Sequence, residues 1–154
     1  EDSFEISYVE SRNRHIELEL WTQIGISWVN GPIVGSMGLF EQIPDAKKAS
    51  DSNVDAYYKR LDREFSSSEY VAGSRYSVAD ITLLSAIDFA SSMVDLKPSE
   101  SLKNLKVTVL YINHDYETRS GLSSSRIRSR VAITRPPSSP RWRATRRTTS
   151  RSAA

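Results

Sequence analysis

The stretch Tyr70-Val71-Ala72-Gly73-Ser74-Arg75-Tyr76-Ser77-Val78-Ala79-Asp80-Ile81 constrains the fold more than any other part of the chain. A serine three residues ahead of a carboxylate, followed at once by an apolar run, is the signature of a helix start. With Ser77 at the N-cap, Asp80 stands at the third helical position and can reach back to the Ser77 N–H, the acidic counterpart of a capping box. Tyr76 and Ile81 take the two positions of a hydrophobic staple. The residues beyond, Ile81, Leu83, Leu84, Ile87, Phe89, Met93 and Val94 with Ala79, Ala86 and Ala90 between them, are apolar on nearly every face. The pattern predicts a helix nucleated by its own first turn and placed at the centre of a core. Ser77 and Asp80 also have the residue types of a catalytic pair, but no histidine is near them in sequence and capping explains both side chains.

Two further helices follow from apolar spacing. From about Phe4 to Asn30, Ile16, Leu20 and Ile24 form one face and Leu18, Trp21, Gly25 and Trp28 an adjacent one, which predicts a single long, largely buried helix. Gly31-Pro32 ends it, and a loop through Gly35, Gly38 and Pro44 follows. The next helix is expected to start near Ser50 to Ser52 and to bury Val54, Tyr58, Leu61 and Phe65, until Ser66-Ser67-Ser68 breaks the pattern.

Charge divides the chain. Residues 1 to 105 hold 10 Lys+Arg and 17 Asp+Glu, a balance of −7, whereas residues 106 to 154 hold 11 and 2, a balance of +9. After Lys106, Val107-Thr108-Val109-Leu110-Tyr111-Ile112 is β-branched and reads as strand-like. From Thr118 onward Ser, Arg, Thr and Pro dominate, a composition too poor in apolar surface to offset ordering entropy, so disorder is expected there. The expected division is therefore a helical domain over 1–105 and a divergent Arg/Ser-rich tail over 106–154. The chain has no cysteine, which rules out disulfides, thiolate zinc sites and cysteine nucleophiles. No apolar run approaches the roughly 20 residues needed to cross a bilayer, so a cytoplasmic protein without membrane contact is expected. The first residue is Glu1 rather than methionine, as expected of a piece of a longer reading frame.

In its motifs the sequence resembles the C-terminal domain of the glutathione transferase family, which carries a loop and helix start of the form Ala-Gly-x-x-x-Ser-x-Ala-Asp. Ala72-Gly73, Ser77 and Ala79-Asp80 stand in that register, followed by Ile81-Thr82 and Asp88-Phe89-Ala90. Arg14-His15-Ile16-Glu17-Leu18-Glu19-Leu20-Trp21 is similar to that domain's first helix, and Leu61-Asp62-Arg63-Glu64-Phe65 to the segment leading into the motif. The resemblance covers roughly residues 5 to 105 and implies an all-α helical bundle. Ser74 departs from the acidic residue common after the glycine, and after Lys106 the family's continuing helix with a Trp and a closing Arg-Pro gives way to an unrelated sequence. The expected source of that change is a retained intron after Lys106 followed by a shifted frame, which would replace the family's natural C-terminus.

The resemblance implies a parent enzyme that conjugates glutathione, as co-substrate, to a hydrophobic electrophile. In the family the thiol is held and activated by an N-terminal thioredoxin-like domain, so no catalytic residue is assigned in this chain. Trp21, Ile24 and Trp28 are the candidates for the wall of the electrophile pocket, set against plain core packing. A homodimer is also implied, with Arg14 and Glu17 as candidate contacts or simply a solvated face. An alternative is a non-catalytic interaction module of the kind found in elongation-factor subunits. Asp88, in an apolar helix, needs a partner such as Arg60 or Arg63 if it is buried. His15 and Glu19 stand four apart, a spacing suited to a surface pair more than to a metal, and the other histidine, His114, is remote. Arg126, Arg128, Arg130, Arg141, Arg143, Arg146 and Arg147 with Trp142 would suit a nucleic-acid backbone, a partner class disfavoured against the non-native-tail reading.

Overall fold

The structure, a computed structural model, divides into two units, Glu1–Leu122 and Ser123–Ala154. It describes residues 2–120, all of which fall in the first unit. The expectation of disorder from Thr118 onward and the arginine-rich stretch with Trp142 therefore lie almost wholly outside the described residues. Those described are helical, and apart from one isolated bridge between Tyr70 and Gly73 no β-structure stands among them. The all-α bundle read from the sequence is the architecture observed.

The long first helix is present, but in three registers: α1 (Asp2–His15), a π-helical stretch Ile16–Trp21, and α2 (Thr22–Val29). The junction residues His15, Trp21 and Thr22 all keep right-handed helical backbone, so the chain does not break. Ile16, Leu20 and Ile24 are buried at a strict spacing of four. In an ordinary α-helix such a spacing drifts about 40° per step. The wider π turn takes up that drift and keeps the stripe facing the core. The second face is less buried than expected: Leu18 is 66% exposed, and Trp21 and Trp28 are half-buried. Asn30 ends α2, and a Cβ on Gly31 would come within 3.1 Å of the Ser27 carbonyl oxygen, which is why glycine stands there.

The following segment is not simply a loop. Pro32 opens a short α3 (Pro32–Ser36), and α4 (Pro44–Glu64) begins at Pro44, six residues ahead of the expected serines. Proline at the first helical position presets the backbone and gives up an N–H that has no helical acceptor there. Ser50 is instead an inward-facing residue, 2% exposed, and the Ser52 hydroxyl donates back to the Lys48 carbonyl. Val54, Tyr58, Leu61 and Phe65 are buried as their spacing predicts, together with Tyr57.

α5 (Val78–Phe89) continues into a second π turn, Ala90–Val94, which ends at Asp95 in the left-handed region (φ 59°). Ala79, Leu83, Ala86, Ile87 and Ala90 are buried, so this helix is central as expected. Its outer face is nonetheless open, with Val78, Ile81 and Met93 exposed. α6 (Lys103–Ser120) overturns the strand-like reading of Val107–Ile112. Leu102, Leu105, Thr108 and Ile112 are buried at helical spacing, and that burial outweighs the β-preference of the branched residues. The Asp62 carboxylate accepts from the Leu105 N–H at 3.0 Å, fixing the first turn of α6 to α4. The helix thus runs through Lys106 without interruption.

α2 packs along α4, α1 along α5, and α6 against both α4 and α5. The core is one cluster running from Ile16 to Leu105. No helix among the described residues is long and apolar enough to cross a membrane.

Candidate functional site

The turn of chain before α5 is held by charged groups aimed inward. Asp80 is fully buried, and its Oδ2 accepts from the Ser77 N–H at 2.8 Å and the Ser77 hydroxyl at 3.0 Å, closing the capping box. Its Oδ1 accepts from the Val71 N–H at 2.8 Å, a partner nine residues back that sequence spacing does not reveal. Burial pushes the Asp80 carboxyl above its ordinary value, against the pull of those donors. The Val71 carbonyl accepts from Arg12 Nε at 3.1 Å, and Arg12 also pairs with Glu64 at 2.5 Å. Tyr76 stands edge-on to Tyr70, and Ile81, its expected staple partner, is exposed. Every group here serves the turn, and none is directed at a ligand.

The residues read as an electrophile wall separate into two environments. Ile24 is sealed in the core at 0% exposure. Trp21 and Trp28 remain half-buried, and the structure brings both onto one ring that sequence reasoning had not chosen, Phe89 of α5. Trp21 lies 5.6 Å from it, tilted, and Trp28 lies 6.0 Å from it, edge-on. Phe89 was within the motif-bearing run, but only the packing of α5 on the first helix shows that it completes an aromatic triplet.

Some of the charged candidates find partners within the fold, and others face solvent. Arg60 donates to Glu19 at 2.6 Å, lies 3.1 Å from His15 Nε2, and covers the Tyr57 ring at 4.4 Å. His15 and Glu19 are themselves 3.2 Å apart, so the pair belongs to a network linking α1 and α4. Asp88 is exposed and takes neither arginine as partner. Arg14 is exposed, and Glu17 accepts from Asn13 at 2.8 Å. Lys47 joins Asp51 at 2.7 Å and the Ser27 hydroxyl at 3.2 Å, while Ser27 also donates to Asp51. A serine beside a lysine and a carboxylate invites a nucleophile reading, but Ser27 is 0% exposed and no substrate reaches it.

A cleft lies elsewhere, between α1 and the start of α5. It measures about 590 Å³, has an apolar floor at Ile6, Val9 and Val78, and is crossed by the Glu5–Arg75 ion pair at 2.6 Å. It contains none of the candidate wall residues.

The family described as glutathione S-transferase, C-terminal domain, matches residues 31–109. The chain belongs to this family. No curated protein and no solved structure matches it. The matched segment contains the Asp80 turn, α4, the whole of α5 and the first turns of α6. It begins after α2, so Trp21, Ile24 and Trp28 stand outside it while Phe89 stands within. This is a glutathione transferase-like helical domain whose most distinctive local device, the Ser77–Asp80 turn, is structural.

Proposed function

We propose that this domain is the helical half of a two-domain protein that conjugates glutathione to hydrophobic electrophiles, with Trp21, Trp28 and Phe89 as one wall of the electrophile pocket and Ile24 as packing behind them. The observation that carries the reading is the aromatic triplet: three large rings from two helices meet while all remain partly open to solvent. Rings in that arrangement suit a flat apolar molecule. They offer indole N–H donors but no paired charges for the termini of a tripeptide, so glutathione is assigned to a thioredoxin-like domain of the parent. Conjugation also needs a thiolate, and a free thiol near pKa 8.5 is only a few per cent ionised at neutral pH. That domain would supply the activating group and close the other side of the cleft, fixing the reacting atoms at attack distance. A cytoplasmic homodimer completes the proposal.

The test compares the chain alone with the chain joined to the half encoded upstream, using saturating glutathione and a chlorodinitrobenzene. Alone, its initial rate should equal the no-protein blank. Joined, it should turn over, and Trp28→Ala or Phe89→Ala should raise KM for the electrophile well above any change in KM for glutathione. Turnover by the chain alone that survives repurification, or variants that leave the electrophile KM unchanged, would sink the reading.

A further inference from the structure

We infer that the cleft between α1 and the start of α5 is a ligand site of its own, one that takes a small amphipathic organic cation: an apolar body carrying a single ammonium or guanidinium group. It shares no residue with the Trp21, Trp28 and Phe89 triplet and is separate from the electrophile pocket proposed there. Both of its sides are fixed by the fold. One is a helix face, on which Glu5, Ile6, Val9 and Glu10 recur at helical spacing. The other is the turn ahead of α5, whose backbone Asp80 pins at the Val71 and Ser77 N–H groups. The volume of about 590 Å³ falls within the roughly 300–1,000 Å³ of small-molecule sites. Ile6 and Val78 line it from its two sides and stay 60% and 52% exposed. An apolar body laid between them would cover surface that the fold leaves in water, which favours binding.

Charge selects the occupant. Two carboxylates and one guanidinium line the cleft, and the guanidinium is already taken, because Arg75 bridges to Glu5 at 2.6 Å. Glu10 makes no ion pair among the described residues. The nearby cations of α1 do not supply one: Arg12 is turned to Glu64 and the Val71 carbonyl, and Arg14 stands outside the lining. A ligand's cationic group therefore meets an uncompensated carboxylate at the rim while its apolar part covers Ile6, Val9 and Val78. An amphipathic anion would have to take Arg75 from Glu5, and would leave both carboxylates without a cation.

Three probes that share one apolar body test this: naphthylmethylammonium, naphthylmethanol and naphthylacetate, each titrated into the full chain at neutral pH and followed by amide chemical shifts. The cation should bind about three- to fivefold tighter than the alcohol, the scale of one exposed ion pair, and the anion weaker than either. The shifts should fall on Ile6, Val9, Ala72 and Val78. Glu10→Gln should abolish the cation's advantage and leave the alcohol's affinity unchanged. Ile6→Ser, at an exposed position, should weaken all three probes with the helical circular dichroism intact, whereas Trp28→Ala should leave the shifts at the cleft as they are. Absence of shifts at these amides with millimolar probe overturns the proposal, as does an anion that binds tighter than the cation. A cation advantage that survives Glu10→Gln overturns the charge selection. Shifts confined to Trp21, Trp28 and Phe89 overturn the cleft as a site while leaving the electrophile reading intact.

Discussion

Two connections perform the same task with opposite chemistry. Residues 37–43 lead into α4 and residues 66–77 lead into α5, so each must satisfy the unpaired N–H groups at a helix start. Before α5, charged side chains do this from the inside: Asp80 takes Val71 N–H and Ser77 N–H, and Arg12 takes the Val71 carbonyl. Before α4 no side chain caps the helix; Pro44 sits at its start and neutral amides of Asn30 and Gln42 secure the chain. The first connection buries its ionised group and is complete in itself. The second leaves four large apolar side chains, Met37, Leu39, Phe40 and Ile43, exposed to water. A charge buried with all its donors in place specifies one conformation, whereas an apolar surface specifies only that it should be covered.

Asp80→Ala tests the strong side of this contrast and should have the largest effect. It removes an acceptor from three donors and leaves the Val71 N–H buried without a partner, so a loss of about 2–4 kcal/mol is expected in denaturant melts. Asp80→Asn, which keeps one acceptor oxygen, should fall between wild type and alanine. A loss below 1 kcal/mol for alanine would mean that the turn is held chiefly by its apolar contacts. Ser77→Ala should cost about 0.5–2 kcal/mol. Its effect and that of Asp80→Ala should not add, since the two side chains share one hydrogen bond. Strict additivity in the double-mutant cycle would show that the box does not act as a unit.

The same contrast decides what could be read in advance. The α5 start was legible because its parts lie within four residues and each has one dominant use. The Asp80–Val71 and Asp62–Leu105 bonds were not, because their partners are 9 and 43 residues apart. The start of α4 was misplaced because serines at 50 and 52 have the residue type of a cap, while the local rule that applies is the proline at 44. Residues 107–112 were misread because β-branched composition is visible in sequence, whereas the groove between α4 and α5 that favours a helix there is not. Trp21, Ile24 and Trp28 were named as a candidate wall by the family resemblance; the structure seals Ile24 in the core, and the meeting of both tryptophans with Phe89 depends on the packing of two distant helices, which local spacing does not reveal.

A smaller effect separates the sealed side by pH. The Tyr58 hydroxyl donates to the Leu96 carbonyl at 3.2 Å, and burial pushes it well above the ordinary tyrosine value. Tyr57 and Tyr70 are raised by burial as well, Tyr57 against the pull of Arg60 and Tyr70 with the help of Asp115. A group whose folded value is raised contributes stability that is fully present below the unfolded value and is lost as pH rises through the folded one. The unfolded value is near 10, so stability should begin to fall above about pH 10. Tyr58→Phe should cost about 0.5–1.5 kcal/mol at neutral pH through its lost hydrogen bond, yet fall less steeply in alkali. Parallel alkaline profiles for the two proteins would mean that Tyr58 ionises without unfolding the domain.

The smallest expected effect lies on the open side and is the sharpest test of the comparison. Leu39 is 67% exposed, so Leu39→Ser removes an apolar side chain that touches little of its own chain. For the isolated copy the change should stay within about 0.5 kcal/mol, as for other surface positions free of caps and cavities. Measured by thermal melts at high dilution, wild type and variant should therefore coincide. At high concentration the wild type should gain stability by mass action if copies associate through this face, and Leu39→Ser should gain less. A melting difference that opens with concentration locates the role of Leu39 between copies. A difference already present at high dilution and constant thereafter would place it inside the fold, and the two connections would then differ in degree rather than in kind.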